Sequence, residues 1–433
     1  MLRGLLVSLC VVAGCGKVQV VGNNNPDAPP DADLHGLAHI TVLDVLGNGA
    51  LAPNVPVVFI DADGTIAADT MSDSNGRAEA TILPGASVTV VYSQITTSGT
   101  MTQTAYLAAT IDGIDPGDDI PFGFTDRDGT QSSTFNVTFS ALAGATSYTV
   151  FTPCGQTFSS TAGTVATSMQ NGCKQDTFDV YVVASNSSGV AIDSAQLQNV
   201  SLAAGSATVP NSWVPFSQFN AAYTDIPPDV SSLSVSRQSS TGRGFSFFAS
   251  CTLSGVACSV SGQVPTAGVK SLVHTTVGRN DANHTQQLIT QRVAGNTINY
   301  NLDVGTNLLP WMNDVTFDAA TGTMTPALEA PDDQADLFFT EVSYTRDANT
   351  SLDWAVFQKT VGPTKFPTIP AHVGPIAPLA ADMVTMRTAI AIDSADVAGW
   401  DDARKRLFAL FDAPFFSNTD DALIRSQEIQ FFP

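Results

Sequence analysis

The pattern of strands and turns is clearest over residues 55–92, which read VPVVFIDADGTIAADTMSDSNGRAEATILPGASVTVVY. Residues 55–60 form an apolar run, and another apolar run closes the segment at 88–92. Between them, Asp63-Gly64 and Asn75-Gly76 supply the positive φ angles that tight hairpins need. The segment therefore predicts strands at 55–60, 65–71, 78–83 and 88–92, joined by short turns.

The same alternation of short β segments and turn residues continues from residue 38 to the end of the chain. Thr, Val, Ser and Phe abound, whereas the helix formers Lys, Glu and Leu are sparse, which is typical of β-sandwiches. We expect a mainly β protein of tandem Ig-like or transthyretin-like β-sandwiches. A further β-rich C-terminal region carries one helix in this prediction.

Length and charge narrow the function classes. A chain of 433 residues corresponds to two to four domains. It has 18 Lys and Arg residues against 40 Asp and Glu residues, a formal net charge of −22. Phosphate backbones repel such a polyanion, so nucleic acid is not expected as a partner. The 43% hydrophobic content excludes a wholly disordered chain.

The first residues indicate export and a membrane anchor. Arg3 is the only charge before Lys17, and the apolar run at 4–12 is shorter than the roughly 20 residues that span a bilayer. The run ends Val12-Ala-Gly-Cys15, which resembles the lipobox of bacterial lipoproteins. The resemblance implies a signal peptide at 1–14 and fatty acyl chains such as palmitate on Cys15. An ordinary secretory signal with a Cys there by chance is the alternative.

Residues 15–37 are predicted to form a lipidated, disordered linker. They are rich in Asn, Pro and Asp, which extend a chain and leave nothing apolar to bury. Two or more acyl chains hold a protein firmly on a membrane, at about 0.8 kcal/mol per buried methylene. By family analogy, Gly16 in place of Asp after the lipidated Cys15 favours the outer membrane or the cell surface. We therefore expect a lipid-anchored protein of the cell envelope.

The remaining cysteines predict disulfide bonds. One of the six leaves with the signal peptide and one carries lipid, which leaves Cys154, Cys173, Cys251 and Cys258. Four cysteines allow three pairings, and proximity in sequence favours Cys154–Cys173 and Cys251–Cys258. Loop closure gives about 3 kcal/mol for the first bond and about 2.5 kcal/mol for the second. Export to an oxidising compartment fits this even number.

Residues 38–125 form the first predicted domain. The motif DSNGRAEATILPG at 73–85, between a hairpin and a closing strand, resembles the carboxypeptidase regulatory-like domain, a transthyretin-type sandwich. That domain is noncatalytic, and the peptidase that it accompanies needs a His-x-x-Glu zinc motif. None of the five histidines has this spacing, and they are His35, His39, His274, His284 and His372. The resemblance therefore implies a fold and no activity.

Residues 126–204 form the second predicted domain, in which 131–204 resemble a fibronectin type III domain. The resemblance rests on the segment 141–150 and on 178–189, whose alternate residues point to one face. Phe139 stands where the core Trp is usual, and Phe178 stands where the corner Tyr hydrogen-bonds the backbone. Both replacements keep the packing, but the second removes a polar contact.

Two further β-rich regions are predicted, 205–330 and 331–433. The strands are expected at 233–237, 245–253, 269–276, 297–304, 337–344, 352–358, 383–392 and 423–432. A helix is expected at 399–411, with Trp400, Ala403 and Leu407 on its apolar stripe. Arg404 and its basic neighbours lie mostly off that stripe.

Catalytic motifs are missing from the sequence, and the metal candidates are few. It contains no Gly-x-Ser-x-Gly, Walker A, His-Glu-x-x-His or EF-hand motif. His35 and His39 flank the end of the linker, where no helix is expected. His274, Asp281 and His284 could meet a metal across a hairpin, or they are solvated loop residues.

Calcium is the only cofactor that the sequence suggests. The candidate loops are Asp61-x-Asp63-Gly64 and Asp126-x-Asp128-Gly129, with Asp115, Asp118 and Asp119 near the second. Asp-Gly pairs also serve as plain turns, and Arg127 interrupts the second loop. Sugars bind exposed Trp side chains, but core packing is the alternative for Trp213, Trp311, Trp354 and Trp400.

The expected function is that of a lipid-anchored, noncatalytic envelope protein. Its tandem sandwiches would present loops for structural or adhesive interactions with an envelope or extracellular protein or a glycan. The first alternative is a ligand-binding surface receptor with a pocket in 205–433. The second is a secreted hydrolase without a recognisable motif.

Overall fold

A computed structural model describes residues 35–43, 51–98, 101–123, 132–170, 177–239, 246–253, 255–265, 271–281, 285–294, 297–407 and 423–431. Strands dominate these ranges, so the predicted mainly β class is confirmed. The two α-helices within them have four residues each, α1 (Val304–Asn307) and α2 (Trp400–Ala403). Neither is long and apolar enough to cross a bilayer.

The first region forms two facing layers. Its strands are β1 (Gly36–Val42), β2 (Pro56–Ile60), β3 (Ile66–Met71), β4 (Arg77–Ile82), β5 (Ala86–Ser98), β6 (Met101–Ile114) and β7 (Asp119–Phe122). The order β4-β1-β7 makes one layer, and β3-β2-β5-β6 makes the other. β4 alternates exposed and buried residues, so every second side chain enters the core between the layers. The four strands predicted at 55–92 are all present.

The second region is also a sandwich. Its strands are β8 (Ser132–Phe139), β9 (Ser147–Thr152), β10 (Gly155–Ser159), β11 (Gly163–Gln170), β12 (Thr177–Ser185), β13 (Ala191–Ser201) and β14 (Ser206–Thr208). The layer β11-β8-β14 faces the layer β10-β9-β12-β13. Phe139 and Phe178 are both buried between these layers. Tyr148 supplies a polar contact that the sequence did not predict, because its hydroxyl accepts a hydrogen bond from the Leu142 N–H at 3.0 Å.

The third region packs a short sheet against one end of a longer one. Its strands are β15 (Val214–Thr224), β16 (Val230–Ser239), β17 (Ser246–Ser250), β18 (Cys258–Pro265), β19 (Ser271–Arg279), β20 (Gln286–Val293) and β21 (Asn299–Asp303). β15 pairs with β18 and β21, and the core lies between them and β16-β19-β20. Buried aromatic rings fill this core, with Tyr223 and Tyr300 in edge contact.

The last region covers the middle of the long sheet. Its strands are β22 (Met312–Asp318), β23 (Thr323–Leu328), β24 (Leu337–Asp347), β25 (Thr350–Gln358), β26 (Thr364–Lys365), β27 (Met383–Ser394) and β28 (Leu423–Phe431). The small sheet β22-β23-β26 packs on one face of β24, β25, β27 and β28. Trp354 lies in this core and donates its indole N–H to Thr110 Oγ1 at 3.0 Å.

One twelve-stranded sheet runs through three of the four regions. Its order is β17-β16-β19-β20-β28-β27-β24-β25-β6-β5-β2-β3. β25 lies parallel to β6, so Thr350 to Phe357 pair with Thr104 to Ile111. β28 pairs antiparallel with both β20 and β27. Strands more than 200 residues apart in sequence are thus hydrogen-bonded neighbours.

The helix predicted at 399–411 is interrupted. α2 ends at Ala403, residues 404–406 form a turn and a bend, Leu407 is again helical, and 408–411 lie outside the described residues. Arg404, expected mostly off the apolar stripe, is only 4% exposed. The reason is a set of distant acceptors in the first region that pair with its guanidinium. Helical periodicity cannot reveal such partners.

Candidate functional site

A cleft of about 520 Å³ opens beside α2. Its walls come from the end of β6 with Asp112 and Gly113, from the loop after β25 with Lys359, and from Trp400 and Arg404 of the α2 segment. The turn that follows β6 therefore meets a segment nearly 300 residues later in the chain. Most of the cleft lining comes from residues 358–404, within the range 205–433 where the receptor hypothesis placed a pocket, and the rest comes from residues 112–115.

Arg404 is the buried centre of this site. Its guanidinium donates to the Gly113 carbonyl at 2.6 Å and to the carboxylates of Asp115 and Asp118 at 3.1 Å each. Asp401 forms a further ion pair with Arg404 at 3.0 Å. Because a buried charge is tolerated only when it is paired, these partners explain how Arg404 can lie inside the protein.

Three features of the cleft suit a polar ligand. The Arg404 Nε is buried and has no hydrogen-bond partner among the described residues. Asp112 lines the cleft, and desolvation raises the pKa of its carboxyl group. Lys359 is exposed and also lines the cleft. Together they offer hydrogen-bond donors and an acceptor to one bound molecule, whereas Ser, Cys and His are missing from the lining residues.

Arg404 occupies the place that the sequence analysis considered for calcium. Asp118 is buried against Arg404 and also accepts a hydrogen bond from the Asp115 N–H at 2.8 Å. Asp119 instead lies 3.7 Å from the Arg77 guanidinium. Across the described ranges, no group of three or more metal-ligating side chains occurs. The carboxylates at 115 and 118 are therefore partners of an arginine.

The first Asp-Gly loop is a turn. Asp63 Oδ1 accepts hydrogen bonds from the Thr65 N–H and hydroxyl, which lower the pKa of Asp63. Asp61 accepts from the Leu83 N–H at 2.8 Å, and Gly64 has a φ of 87°. Both carboxylates thus fix backbone, as plain turn chemistry requires. The second loop, with Asp126, Asp128 and Gly129, lies outside the described residues.

The candidate histidine sites do not assemble within the described residues. His274 lies in the middle of β19, where Nδ1 is 2.8 Å from Thr290 Oγ1 and burial lowers the pKa of His274 to about 4. Asp281 follows the end of that strand, about 20 Å from His274 by strand geometry. Its Oδ1 accepts a hydrogen bond from the Thr285 N–H at 3.0 Å. His284 lies outside the described residues.

The histidines nearest the linker are also separate. His39 on β1 lies 3.3 Å from both Arg77 Nε and Glu79. His35 precedes that strand, so the two histidines do not share a helix face. The pair thus has no ligand geometry of helical spacing.

The tryptophans pack mainly in the interior. Trp311, Trp354 and Trp400 are buried, and the Arg279 guanidinium lies over the Trp311 ring at 4.3 Å. Trp213 is half-buried, with its ring 6.0 Å from that of Tyr148. The core alternative therefore describes the three buried rings.

One predicted disulfide is confirmed. Cys251 and Cys258 are bonded, with their Cα atoms 6.1 Å apart. Cys154 is also disulfide-bonded, while its expected partner Cys173 lies outside the described residues. The lipidation candidate Cys15 lies outside them as well, so its modification stays a prediction.

Sequence reasoning did not identify Arg404 or Lys359 as site residues. The acidic spacing Asp115-x-x-Asp118 was visible, but its partner comes from a distant segment. A strongly acidic loop and the basic cluster at 404–406 were the available signals. Only the tertiary fold brings the two segments together.

Comparisons with known proteins leave the family open. No family model matches the sequence, and no curated protein sequence matches it. Among solved structures, the Bacillus anthracis TIE protein is 9% identical over 62% of this chain and 50% of its own, with a TM-score of 0.15. This chain thus spans half the length of that protein.

Two further structures are similar to the same limited degree. The major pilin subunit BcpA of Bacillus cereus is 9% identical over 62% of this chain and 98% of its own, with a TM-score of 0.14. Two B repeat units of the collagen binding protein of Staphylococcus aureus are 10% identical over 74% of this chain and 99% of their own, also with a TM-score of 0.14. Scores this low carry no argument about function.

Proposed function

We propose that this protein is a lipid-anchored, noncatalytic component of a bacterial cell envelope. Its four β-rich regions, with the strands β1–β7, β8–β14, β15–β21 and β22–β28, serve structural or adhesive interactions. The outer membrane or the cell surface is the proposed address, and an envelope protein, an extracellular protein or a glycan is the proposed partner. The proposal rests on the leader that ends in Cys15 and on the way the first strand is held.

The attachment of β1 is the structural observation that supports this role. The linker enters the fold at β1, which pairs antiparallel with β4 and parallel with β7. Hydrogen bonds in a sheet lie roughly across the strands, so tension along β1 loads both sets together. A tether that pulls on this strand therefore meets collective resistance, as a membrane-anchored structural protein requires.

The twelve-stranded sheet extends this resistance to the rest of the fold. β6 belongs to the first region and pairs with β25 along eight residues. Load that enters at β1 reaches this sheet through the core between the two layers, and the β6–β25 hydrogen bonds then pass it to the C-terminal strands. Flexible linkers between separate domains would instead let the domains move independently.

The lipid anchor is tested by Cys15→Ser, with Cys10→Ser as the matched control inside the leader. We expect the wild type and Cys10→Ser to incorporate labelled palmitate and to sediment with membranes. Cys15→Ser should incorporate no label and leave the membrane fraction. Equal labelling and sedimentation of Cys15→Ser would overturn the proposal.

A surface receptor is the second candidate, and the cleft beside Arg404 favours it. The test is a thermal-shift screen of small glycans and polar metabolites against the full chain, with Lys359→Ala as the site variant. Lys365→Ala removes the same charge from the exposed strand β26 and serves as control. A ligand at 100 times its Kd stabilises by about 2.7 kcal/mol. We expect that shift in the wild type and in Lys365→Ala but not in Lys359→Ala.

A further inference from the structure

A second cavity, of about 360 Å³, lies where β2 begins beside the long hairpin of β5 and β6. Tyr92 on β5 pairs with Leu107 on β6, and Leu107 pairs with Asp353 on β25. Paired residues on neighbouring strands project from the same face, so these three side chains form one row across the sheet. All three line the cavity. Because neighbouring strands lie about 4.8 Å apart, the row is roughly 10 Å long.

The walls of this cavity are held in place by hydrogen bonds. One wall is the turn that leads into β2. In this turn the Asn54 N–H donates to the Ser72 carbonyl, and the Val55 N–H donates to Ser72 Oγ, both at 2.9 Å. The Tyr92 hydroxyl donates to the Leu43 carbonyl, also at 2.9 Å, which fixes its ring. The cavity is therefore preformed, and a ligand would spend little free energy on ordering it.

Asp353 is a carboxylate without a partner at one end of the row. Among the described residues that line the cavity, it alone carries a charge. It is half-buried, and its carboxylate has no ion pair or hydrogen bond within the part of the chain that the structure describes. Carboxylates that are withdrawn from water are normally paired or hydrogen-bonded. Asp353 beside the apolar side chain of Leu107 therefore favours a ligand with one cationic end and an apolar body.

A second carboxyl group favours the same sign of ligand. Glu341 on β24 lies opposite Ala355, two residues after Asp353 on β25. Burial, Asp353 and Glu428, in that order, raise the pKa of Glu341 to about 7, so Asp353 and Glu341 act on each other through their charges. A cation at Asp353 would be attracted by both groups, whereas an anion would be repelled by both.

We propose that this cavity binds a primary alkylammonium compound with one charge. The ammonium group forms an ion pair with Asp353. The alkyl chain lies along the row, over Leu107 and Tyr92 towards Val55. This site is independent of the lipid anchor and of the Arg404 cleft, so it goes beyond the proposed function.

The test titrates the full chain with 1-aminohexane by calorimetry at pH 7, where the amine is charged. The comparison ligands are 1-hexanol, which lacks the charge, hexanoate, which reverses it, and methylamine, which lacks the chain. We expect saturable binding of 1-aminohexane, affinity at least about tenfold lower for 1-hexanol and methylamine, and no binding of hexanoate. Equal affinity for 1-hexanol or hexanoate, or no saturable binding of 1-aminohexane, would overturn the proposal.

The charge of the site is tested by Asp353→Asn. This variant should bind 1-aminohexane about tenfold or more weakly, because the counter-charge is lost, and should bind 1-hexanol like the wild type. Asp333→Asn makes the same charge change at an exposed position and should bind both ligands like the wild type.

The space in the site is tested by Ala105→Phe, which keeps Asp353 but places a ring among the lining residues. It should weaken 1-aminohexane binding by about tenfold or more. Thr102→Phe places the same ring on the other face of β6, at an exposed position, and serves as control. Circular dichroism verifies folding. Wild-type affinity in whichever of Asp353→Asn and Ala105→Phe is folded would show that the ligand binds elsewhere.

A series of chain lengths provides a second, independent test. Affinity should rise by about fourfold per methylene from 1-aminobutane to 1-aminohexane, because each methylene is buried along the row. The rise should end once the chain is longer than the row, since the cavity is bounded by the turn before β2. An affinity that keeps rising through 1-aminodecane would indicate adsorption to an open apolar surface and would contradict a bounded site.

Discussion

Arg404 and Glu341 are two charged residues of the same folded unit. Carboxylates surround both, so the neighbours attract Arg404 and repel the Glu341 carboxylate. Arg404 is buried among the carboxylates of Asp115, Asp118 and Asp401. Glu341 is half-buried, and the charged groups that act on it are carboxylates as well. The difference shows that burial alone does not define a site. What matters is whether neighbouring groups of opposite sign neutralise the buried charge.

The cluster of Arg404 and its acidic partners joins distant parts of the chain. Arg404 follows α2, and its partners lie at the β6–β7 turn of the first region. Asp115 and Asp401 are exposed, so removal of Arg404 leaves Asp118 as the buried charge that has lost its closest partner. Glu341, in contrast, already lacks a partner cation among the groups that act on it. Removal of the Glu341 charge should therefore raise the free energy of unfolding, whereas removal of Arg404 should lower it.

The largest expected effect is that of Arg404→Met. This substitution keeps the methylene packing but leaves the buried Asp118 with only the exposed Lys405, whose Nζ lies 4.0 Å away. Loss of the buried partner of an ion pair typically costs about 3–5 kcal/mol. We expect the free energy of unfolding, measured by urea denaturation, to fall by that amount. A loss below about 1 kcal/mol would mean that the cluster is solvated in solution and that the comparison with Glu341 does not hold.

Glu341→Gln should stabilise the protein, and only at higher pH. Burial and the neighbouring carboxylates raise the pKa of Glu341 in the folded protein to about 7, from its ordinary value of 4.5. The unfolded chain therefore releases its proton first, so the wild type loses stability as pH rises from about 4.5 to 7. The loss is complete above pH 7, and Gln removes it.

The gain from Glu341→Gln should reach about 2–3 kcal/mol at pH 8 and vanish near pH 4. Urea denaturation of both proteins at four pH values from 4 to 8 measures it. Asp333→Asn, at an exposed position, should show no such pH-dependent gain. A constant difference across the pH range would mean that the side-chain change acts through packing and not through ionisation.

The strands could be predicted from sequence because their signals are local. Asp63-Gly64 and Asn75-Gly76 form turns, and the apolar run at 55–60 became β2. The Cys251–Cys258 bond was also accessible, since the two residues are only 7 apart. Each of these features depends on a few neighbouring residues.

The two charged sites could not be predicted, because they depend on strand order. Glu341 faces Thr388 only through the pairing of β24 with β27. Arg404 meets Asp118 only because the segment after α2 folds against the β6–β7 turn. The helix expected at 399–411 is interrupted after Ala403, which the periodicity of the isolated segment did not reveal.

Thr388→Val tests the role of the buried hydroxyl that lies opposite Glu341. The hydroxyl is buried without a partner among the described residues, so an isosteric methyl removes an unpaired group. We expect the free energy of unfolding to rise by up to about 1 kcal/mol. Thr167→Val is the matched control, because Thr167 is buried but donates to the Phe135 carbonyl at 3.0 Å. It should lose about 1 kcal/mol, and equal behaviour of the two variants would contradict the distinction between them.

The smallest effect is expected for Arg406→Met, two residues from the buried cluster. Arg406 forms an i,i+4 ion pair with Asp402 at 2.6 Å, and both side chains are more than one third exposed. Such a pair typically contributes about 0.3–0.5 kcal/mol and is screened by salt.

We therefore expect Arg406→Met to change the free energy of unfolding by less than about 0.5 kcal/mol, and by less still in 1 M NaCl. Arg404→Met should keep most of its effect at that salt concentration, because buried pairs are screened much less. Neighbouring arginines with the same type of partner would then differ about tenfold in their contribution, and burial of the Arg404–Asp118 pair would be the cause. Equal salt sensitivity in the two variants would show that the Arg404 cluster is open to solvent.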